Sequence, residues 1–248
     1  AHLIELRTRL IRAFAAILIV FVCLFPWAKE LYALMAQPLL SALPKGGQMI
    51  ATDVVGVFIV PMKVALLVAF LVALPYVLYQ VWAFVAPGLY AHEKKLILPL
   101  TVVSVLLFFL GMAFAYFLVL PLMYHFLIGA APEGVTPMTD INSYLDSVLT
   151  LFFAFGVAFE IPVAVVLLIW IGIVDVAYLQ KIRPYVIIGC FVVGMVLTPP
   201  DPLSQTLLAV PMWLLFEVGL FFGRLIRKRP ADEAADDADN DQPPAVQP

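Results

Sequence analysis

Runs of apolar residues that are almost free of charged side chains dominate this chain. Of its 248 residues, 64% are hydrophobic and only 12% are charged, a composition far from that of soluble domains. A helix needs about 20 consecutive apolar residues to cross the hydrocarbon core of a bilayer. Six runs approach that length, at residues 10–27, 64–84, 96–127, 147–173, 184–197 and 203–222. The sequence therefore predicts an all-α, polytopic membrane protein with six transmembrane helices, because lipid offers no water to exposed backbone groups.

Lysine and arginine are distributed unequally between the two sides that six crossings define. Eleven of the 14 lie on one side: Arg7, Arg9, Arg12, Lys94, Lys95, Lys181, Arg183, Arg224, Arg227, Lys228 and Arg229. The other side has Lys29, Lys45 and Lys63. Because short cytoplasmic loops carry an excess of basic residues, both termini are predicted to be cytoplasmic.

The fifth predicted helix is too short to cross a bilayer of ordinary thickness. Arg183 precedes it and Pro199 ends it, which leaves about 14 residues and a length of about 21 Å. The hydrocarbon core is about 30 Å thick, and the sixth helix begins only a few residues later. Helices 5 and 6 are therefore predicted to be short, with the turn between them below the outer surface.

Two further segments have a distinct composition. The outer loop at residues 28–61 contains an apolar stretch interrupted by Pro38 and Pro44, which predicts short interfacial helices that cap the outer face. Residues 230–248 are rich in Asp, Ala and Pro and have no aromatic residue, so they cannot bury enough apolar surface to fold. The predicted organisation is a six-helix transmembrane domain at 1–229 and a disordered acidic cytoplasmic tail at 230–248.

Signals of catalysis and of cofactor binding are weak. His2, His92 and His125 are far apart in the sequence and lack the spacing of a helical metal site. No phosphate-binding loop and no serine-nucleophile motif is present in the sequence. Cys23 and Cys190 both lie in apolar runs, where packing is their ordinary role. We therefore expect a binding protein that is not an enzyme and has no cofactor, metal or nucleic-acid partner.

Two acids are placed by the predicted topology at the cytoplasmic surface. Glu5 precedes the first helix, and Glu93 lies in the loop between the second and the third. Carboxylates at one face can each accept a guanidinium in a two-bonded fork. The alternative is that Glu5 pairs with Arg9 one turn later and that Glu93 only balances Lys94 and its neighbour.

A third acid, Glu160, lies near the centre of the fourth apolar run. An ionised acid at that depth costs about 2.5–3.5 kcal/mol on insertion scales, so it is expected to be protonated, to face a polar cavity or a partner helix, or to make a packing hydrogen bond. Pro162 is predicted to kink the helix nearby. Ser204 and Gln205 are predicted to lie at the same depth as Glu160 and to form a polar patch with it.

One more acid, Glu217, lies nearer the cytoplasmic end of the sixth helix. Its carboxylate is expected to reach the interface or to pair with Arg224.

Four sequence motifs, in order along the chain, resemble those of the TatC family. They are His2-Leu3-Ile4-Glu5-Leu6-Arg7, the stretch from Phe84 to Lys95 that includes Ala86-Pro87-Gly88-Leu89-Tyr90, Phe155-Gly156-Val157-Ala158-Phe159-Glu160-Ile161-Pro162, and Thr198-Pro199-Pro200-Asp201 with Ser204-Gln205. The resemblance covers roughly residues 2–225. Several motifs in the family's order are far more specific than any one of them.

This resemblance implies a cupped, concave bundle of six helices that acts as the signal-peptide receptor of a twin-arginine translocase. It implies that Glu5 and Glu93 bind the paired arginines of folded cargo, with Phe84 and Pro87 shaping the same patch. Glu160, Gln205 and Pro38 match other functional positions, the first two near where helices of TatB and TatA dock.

The resemblance also implies a place in the cell and a set of partners. It implies location in the lipid bilayer of the cytoplasmic (inner) membrane, a homo-oligomer within the translocase complex and transport driven by the proton motive force.

The principal alternative is a proton-coupled secondary transporter that uses Glu160 as its substrate site. Such a protein would take up small solutes by itself. A single acid at mid-depth and the absence of an internal sequence repeat both count against it.

Overall fold

The computed structural model describes residues 2–42, 50–85, 97–129, 140–170, 172–197 and 202–240. Side chains are described for residues 4–36, 50–84, 98–129, 140–170, 172–197 and 202–225. Within these ranges the regular elements are helices, and a single isolated bridge joins Ile50 to Asp140. The predicted all-α class is confirmed.

Ten α-helices follow one another along the described chain. They are α1 (His2–Leu24), α2 (Ala28–Ala42), α3 (Gly56–Val85), α4 (Ile97–Phe114), α5 (Leu120–Gly129), α6 (Ile141–Ala158), α7 (Ile161–Trp170), α8 (Val176–Lys181), α9 (Arg183–Leu197) and α10 (Pro202–Asn240). A 3-10 turn at Phe25–Trp27 joins α1 to α2, and a π-helical turn at Ala115–Val119 joins α4 to α5.

These helices combine into five segments that are long and apolar enough to cross a membrane. The segments are Ile4–Ala36, Gly56–Phe84, Leu98–Gly129, Ile141–Trp170 and Pro202–Leu225, called here the first, second, third, fourth and sixth spans. The fifth helix, α9, has 15 residues, or about 22 Å of length. The fifth helix is therefore short as predicted. The sixth span has 24 residues and is longer than predicted, because its helix continues past Phe222 into the basic segment.

The outer loop contains the helix that its apolar stretch predicts. Pro26 lies in the 3-10 turn that ends α1, and α2 begins directly after it. Ala36 of α2 is buried, and the main-chain carbonyl of Met35 accepts a hydrogen bond from the Tyr144 hydroxyl at 3.2 Å. This contact packs α2 onto the N-terminal end of the fourth span.

The third and fourth spans approach each other closely because glycines lie in their interface. A methyl group at Gly111 would collide with the carbonyl oxygen of Phe155, and one at Gly156 would lie within 2.8 Å of the Phe108 ring. Phe108 and Phe155 are themselves buried in the largest apolar cluster of the described chain. The glycines thus set the register of the two helices, with Phe108 opposite Gly156.

Polar contacts join the beginning of the second span to the beginning of the fourth. Asp140 is the N-cap of α6 and accepts hydrogen bonds from the main-chain N–H groups of Ser143 at 3.2 Å and Thr52 at 3.1 Å. The Thr52 bond is the main reason that the pKa of Asp140 is below its usual value. Lys63 forms an ion pair with Asp146 at 2.7 Å.

At the other end of the molecule, the sixth span packs along the fourth. A methyl group at Gly219 would lie 2.9 Å from Cα of Pro162. Glu217, two residues earlier in the same helix, forms an ion pair with Arg183 of α9 at 2.5 Å. The predicted pairing of Glu217 with Arg224 is therefore wrong. The fifth helix runs beside the sixth and brings Arg183 to the acid, which spacing along one helix could not indicate.

The acidic C-terminal segment begins within the last helix. The backbone of α10 continues to Asn240, while residues 241–248 lie outside the described ranges. The disordered tail at 230–248, and its boundary with the domain at 1–229, remain predictions.

Candidate functional site

Glu5 lies in the first turn of α1 and is held by Arg9. Nε and Nη2 of Arg9 donate to Oε1 of Glu5 at 3.1 and 2.7 Å. The Glu5 side chain is 39% exposed. The local alternative for Glu5, pairing within its own helix, therefore occurs in the structure, although an exposed pair of this kind contributes only about 0–1 kcal/mol.

Gln80 of α3 connects this pair to the second span. Its Oε1 accepts a hydrogen bond from Nη1 of Arg9 at 3.2 Å. Gln80 is buried, and Phe84 lies one turn further along the same helix and is partly exposed. Glu5 and Phe84 are thus carried by neighbouring helices at the same end of the molecule.

Three residues of the predicted sites have no described side chain. Glu93 and Pro87 lie outside the described residues, and Pro38 lies in α2 without a described side chain. The described part of the site consists of Glu5, Arg9, Gln80 and Phe84.

The hydrogen bonding of Glu5 leaves half of its carboxylate available. Arg9 uses only Oε1, and within the described part of the chain Oε2 accepts no hydrogen bond. A guanidinium in solution can approach Oε2 without displacing Arg9. Such a charge-assisted bond is shorter and stronger than a neutral one.

Glu160 lies at a break in the fourth span. The helix is interrupted at Phe159 and Glu160, between α6 and α7, and Pro162 follows in the first turn of α7. The residue is partly exposed, yet both carboxyl oxygens are buried and have no hydrogen bond of ordinary geometry to any described residue. The side chain therefore directs its carboxyl into the protein. The break lies two residues before Pro162, the residue at which a kink was predicted.

Gln205 does not lie at the depth of Glu160. Gly219 of the sixth span lies beside Pro162, and Gln205 precedes Gly219 by about 20 Å of helix at 1.5 Å per residue. The amide of Gln205 donates to the main-chain carbonyl of Phe191 at 2.9 Å and so joins the fifth and sixth helices. The predicted single polar patch of Ser204, Gln205 and Glu160 is not formed, because the fourth and sixth spans are shifted along their axes.

Sequence reasoning missed buried polar contacts inside the apolar runs. Gln80 binds Arg9, and the indole Nε1 of Trp82 donates to Oγ of Ser104 at 2.9 Å. Gln80 and Ser104 are uncharged residues inside apolar runs, and their presence there was the available signal, since lipid cannot satisfy an amide or a hydroxyl. No group of three or more His, Cys, Asp or Glu residues that could hold a metal is found among the described residues.

Known proteins match this chain along most of its length. The profile of one family, described as Sec-independent protein translocase protein (TatC), matches residues 1–211. A translocase protein TatC of Azotobacter chroococcum mcd 1 is 62% identical over 236 residues, covering 95% of this chain and 92% of the relative. Its counterpart in Escherichia coli K12 is 56% identical over 223 residues, covering 90% and 86%.

A solved structure has the same fold. The crystal structure described as the twin arginine translocase receptor TatC superposes with a TM-score of 0.82 at 38% identity, and the match covers 92% of this chain and 100% of the other. The six-helix architecture is therefore shared with an experimentally determined protein of the same description.

Proposed function

This chain belongs to the TatC family of Sec-independent protein translocase proteins, and on that premise we propose that it is a receptor for twin-arginine signal peptides. A translocase component is not an enzyme, and this membership favours protein translocation over the secondary transporter considered above. Glu5 and Glu93 are the proposed arginine ligands, with Phe84 and Pro87 beside them.

The geometry of Glu5 is the observation that carries this proposal. Its Oε1 is bound by Arg9, while Oε2 accepts no hydrogen bond from any described residue. Because Arg9 is itself held by Gln80, the carboxylate is oriented before a peptide arrives. A preoriented acceptor loses less conformational entropy when it binds. An arginine is favoured over a lysine because its planar guanidinium offers donors in a fixed fork.

Peptide binding to the purified chain tests the proposal. A fluorescent signal peptide with paired arginines is titrated against the same peptide with paired lysines. We expect the lysine peptide to bind at least about tenfold more weakly, because an ammonium lacks the planar, fixed set of donors that a guanidinium offers to each acid. Equal affinity for the two peptides would refute the proposal.

Variants assign the binding to particular acids. Glu5→Gln and Glu93→Gln should each weaken the binding of the arginine peptide. Each should also reduce the protein's preference for the arginine peptide over the lysine peptide. Glu30→Gln, an acid of α2 at the predicted outer face, is the matched control and should leave both affinities unchanged. Undiminished crosslinking of the arginine peptide to Glu93→Gln would remove Glu93 from the site.

A second part of the proposal concerns partner helices. We propose that TatB and TatA dock at Glu160 and at Gln205, which lie at two separate positions along the bundle. We also propose that copies of this chain associate within the complex. Glu160→Ala should weaken assembly with these partners in detergent extracts and leave peptide binding largely intact. If assembly and export both survive, Glu160 has no docking role. Pro38 is proposed to act in the outer cap.

The cellular setting follows the same proposal. We place both termini in the cytoplasm and the spans in the inner membrane, with the proton motive force driving transport. The unequal distribution of Lys and Arg supports this orientation. Cysteine labelling from either side of the membrane, with single cysteines at Thr8 and Thr52, tests it: Thr8 should react from inside and Thr52 from outside.

A further inference from the structure

Ser104 lies opposite Glu160 in the interface of the third and fourth spans. Phe108 packs against Gly156, and Gly111 against Phe155. One turn before Phe108 is Ser104, and one turn after Gly156 is Glu160. In two antiparallel helices these one-turn steps lead to facing positions. The Ser104 hydroxyl accordingly faces the Glu160 carboxyl.

Trp82 fixes the direction in which the Ser104 hydroxyl can donate. The indole Nε1 donates to Oγ of Ser104 at 2.9 Å, and an indole is a donor only. One lone pair of Oγ is therefore occupied, while the hydroxyl proton of Ser104 is available to another acceptor. Ser104 is completely buried and Trp82 is 8% exposed, so water does not compete for either group.

The Glu160 carboxyl is an acceptor for the hydroxyl proton of Ser104. Both of its carboxyl oxygens are buried, and neither has a hydrogen bond of ordinary geometry within the described ranges. Burial of a carboxyl without hydrogen bonds is unfavourable. A small rotation of the Ser104 hydroxyl or of the Glu160 side chain supplies the missing bond.

From this geometry we propose that Ser104, oriented by Trp82, is a positioning residue that holds the Glu160 carboxyl inside the bundle when no partner is bound. The order of donation is indole N–H to serine oxygen, then serine O–H to carboxyl oxygen. The inference rests on the proposed docking role of Glu160 for its biological purpose: a partner helix with a polar group would have to draw the carboxyl outward. The proposed holding contact needs no partner and can be tested in the chain alone.

Labelling with a membrane-soluble carbodiimide measures whether the carboxyl is held inward. The purified chain in lipid nanodiscs is treated with dicyclohexylcarbodiimide, and modification of Glu160 is followed by mass spectrometry. We expect Ser104→Ala and Trp82→Phe to raise the labelling rate about threefold to tenfold, the effect of losing one intramembrane hydrogen bond. Thr150→Val is the matched control, because it removes a hydroxyl that is bound within its own helix. Its Glu160 should be labelled at the same rate as in the unmodified chain.

Infrared spectroscopy adds a signature that general loosening of the bundle does not produce. The difference spectrum between the unmodified chain and Glu160→Gln isolates the Glu160 carboxyl band. Ser104→Ala should shift this band and Thr150→Val should not. Ser104→Thr keeps the hydroxyl and should leave the band at its original position.

The outcomes separate this inference from the proposed function. An unchanged rate and band in Ser104→Ala would overturn the inference, whatever the partners do. If Ser104→Ala changes the labelling rate but Trp82→Phe does not, the proposal that Trp82 orients Ser104 is overturned. A changed rate and band together with undisturbed partner assembly in Glu160→Ala would support the holding contact and overturn the docking role.

Discussion

Arg9 binds one oxygen of the Glu5 carboxylate with two nitrogens, Nε at 3.1 Å and Nη2 at 2.7 Å. Its third nitrogen, Nη1, is held by the amide of Gln80 in the neighbouring helix. This tether keeps the guanidinium on Oε1 and prevents it from forming a fork across both oxygens. The predicted signal-peptide site is thus shaped by a cation of the protein itself.

Removing the tether should weaken the binding of a twin-arginine peptide. Gln80→Leu frees Arg9 to rotate onto both Glu5 oxygens, where it competes with the incoming arginine. We expect a loss of about threefold to tenfold in affinity, corresponding to one hydrogen bond of about 1 kcal/mol. Fluorescence titration measures it. Gln180→Leu, which removes an amide beside Arg224 of the sixth span, is the control, and an equal loss there would contradict the explanation.

Glycine packing predicts a contrast between two alanine substitutions. Gly111→Ala places a methyl group against the carbonyl of Phe155 and should destabilise the bundle by about 1–3 kcal/mol, the usual penalty of overpacking. Gly189 of α9 has nothing within 4 Å of the corresponding position, so Gly189→Ala should leave the thermal midpoint in detergent unchanged or slightly raised. A lower midpoint for Gly189→Ala than for Gly111→Ala would show that the third and fourth spans pack differently.

The two long-range ion pairs found among the described residues should differ in importance. Lys63 and Asp146 have side chains that are 36% and 58% exposed, so Asp146→Ala should change stability by at most about 1 kcal/mol. Glu217→Ala should have the larger effect, because the Glu217 side chain is only 26% exposed and Nε of Arg183 is buried without a hydrogen bond to any described residue, so the loss of the acid leaves a partly buried guanidinium with fewer acceptors. Thermal unfolding of both variants ranks them.

A double variant separates charge burial from packing in that second pair. Arg183→Met combined with Glu217→Met should recover most of the stability that Glu217→Ala loses. An additive loss would show that packing, not the unpaired charge, is responsible.

Asp140 should make the outer cap sensitive to acid. Hydrogen bonds from Thr52, then Ser143, hold the pKa of Asp140 below its ordinary value of 3.8. A lowered pKa in the folded state contributes stability that is present above the ordinary pKa and is lost as pH falls through the folded pKa. The thermal midpoint should therefore decline below about pH 4. In Asp140→Asn, which can still cap α6, the Asp140 contribution to this decline should be absent. An identical pH profile for both proteins would rule out this carboxylate as the source.

The sequence allowed the membrane class and the approximate spans to be predicted, but only part of the site. The runs at residues 64–84 and 147–173 fall within the observed second span and largely within the fourth. Glu5 could be selected because its position beside the first span is a local property. Its connection through Arg9 to Gln80 could not be predicted, since Gln80 is distant in sequence and contacts Arg9 only when α1 packs along α3.

What the sequence by itself determined is the set of apolar segments from which the spans and the short fifth helix form, because transfer into lipid depends on the composition of about 20 neighbouring residues. The tertiary structure decided which polar groups meet. Glu217 pairs with Arg183 and not with Arg224, Ser104 faces Glu160, and Gln205 lies far from that acid. These outcomes depend on how helices shift along one another, which glycine contacts such as those of Gly111 and Gly219 fix only after the bundle has assembled.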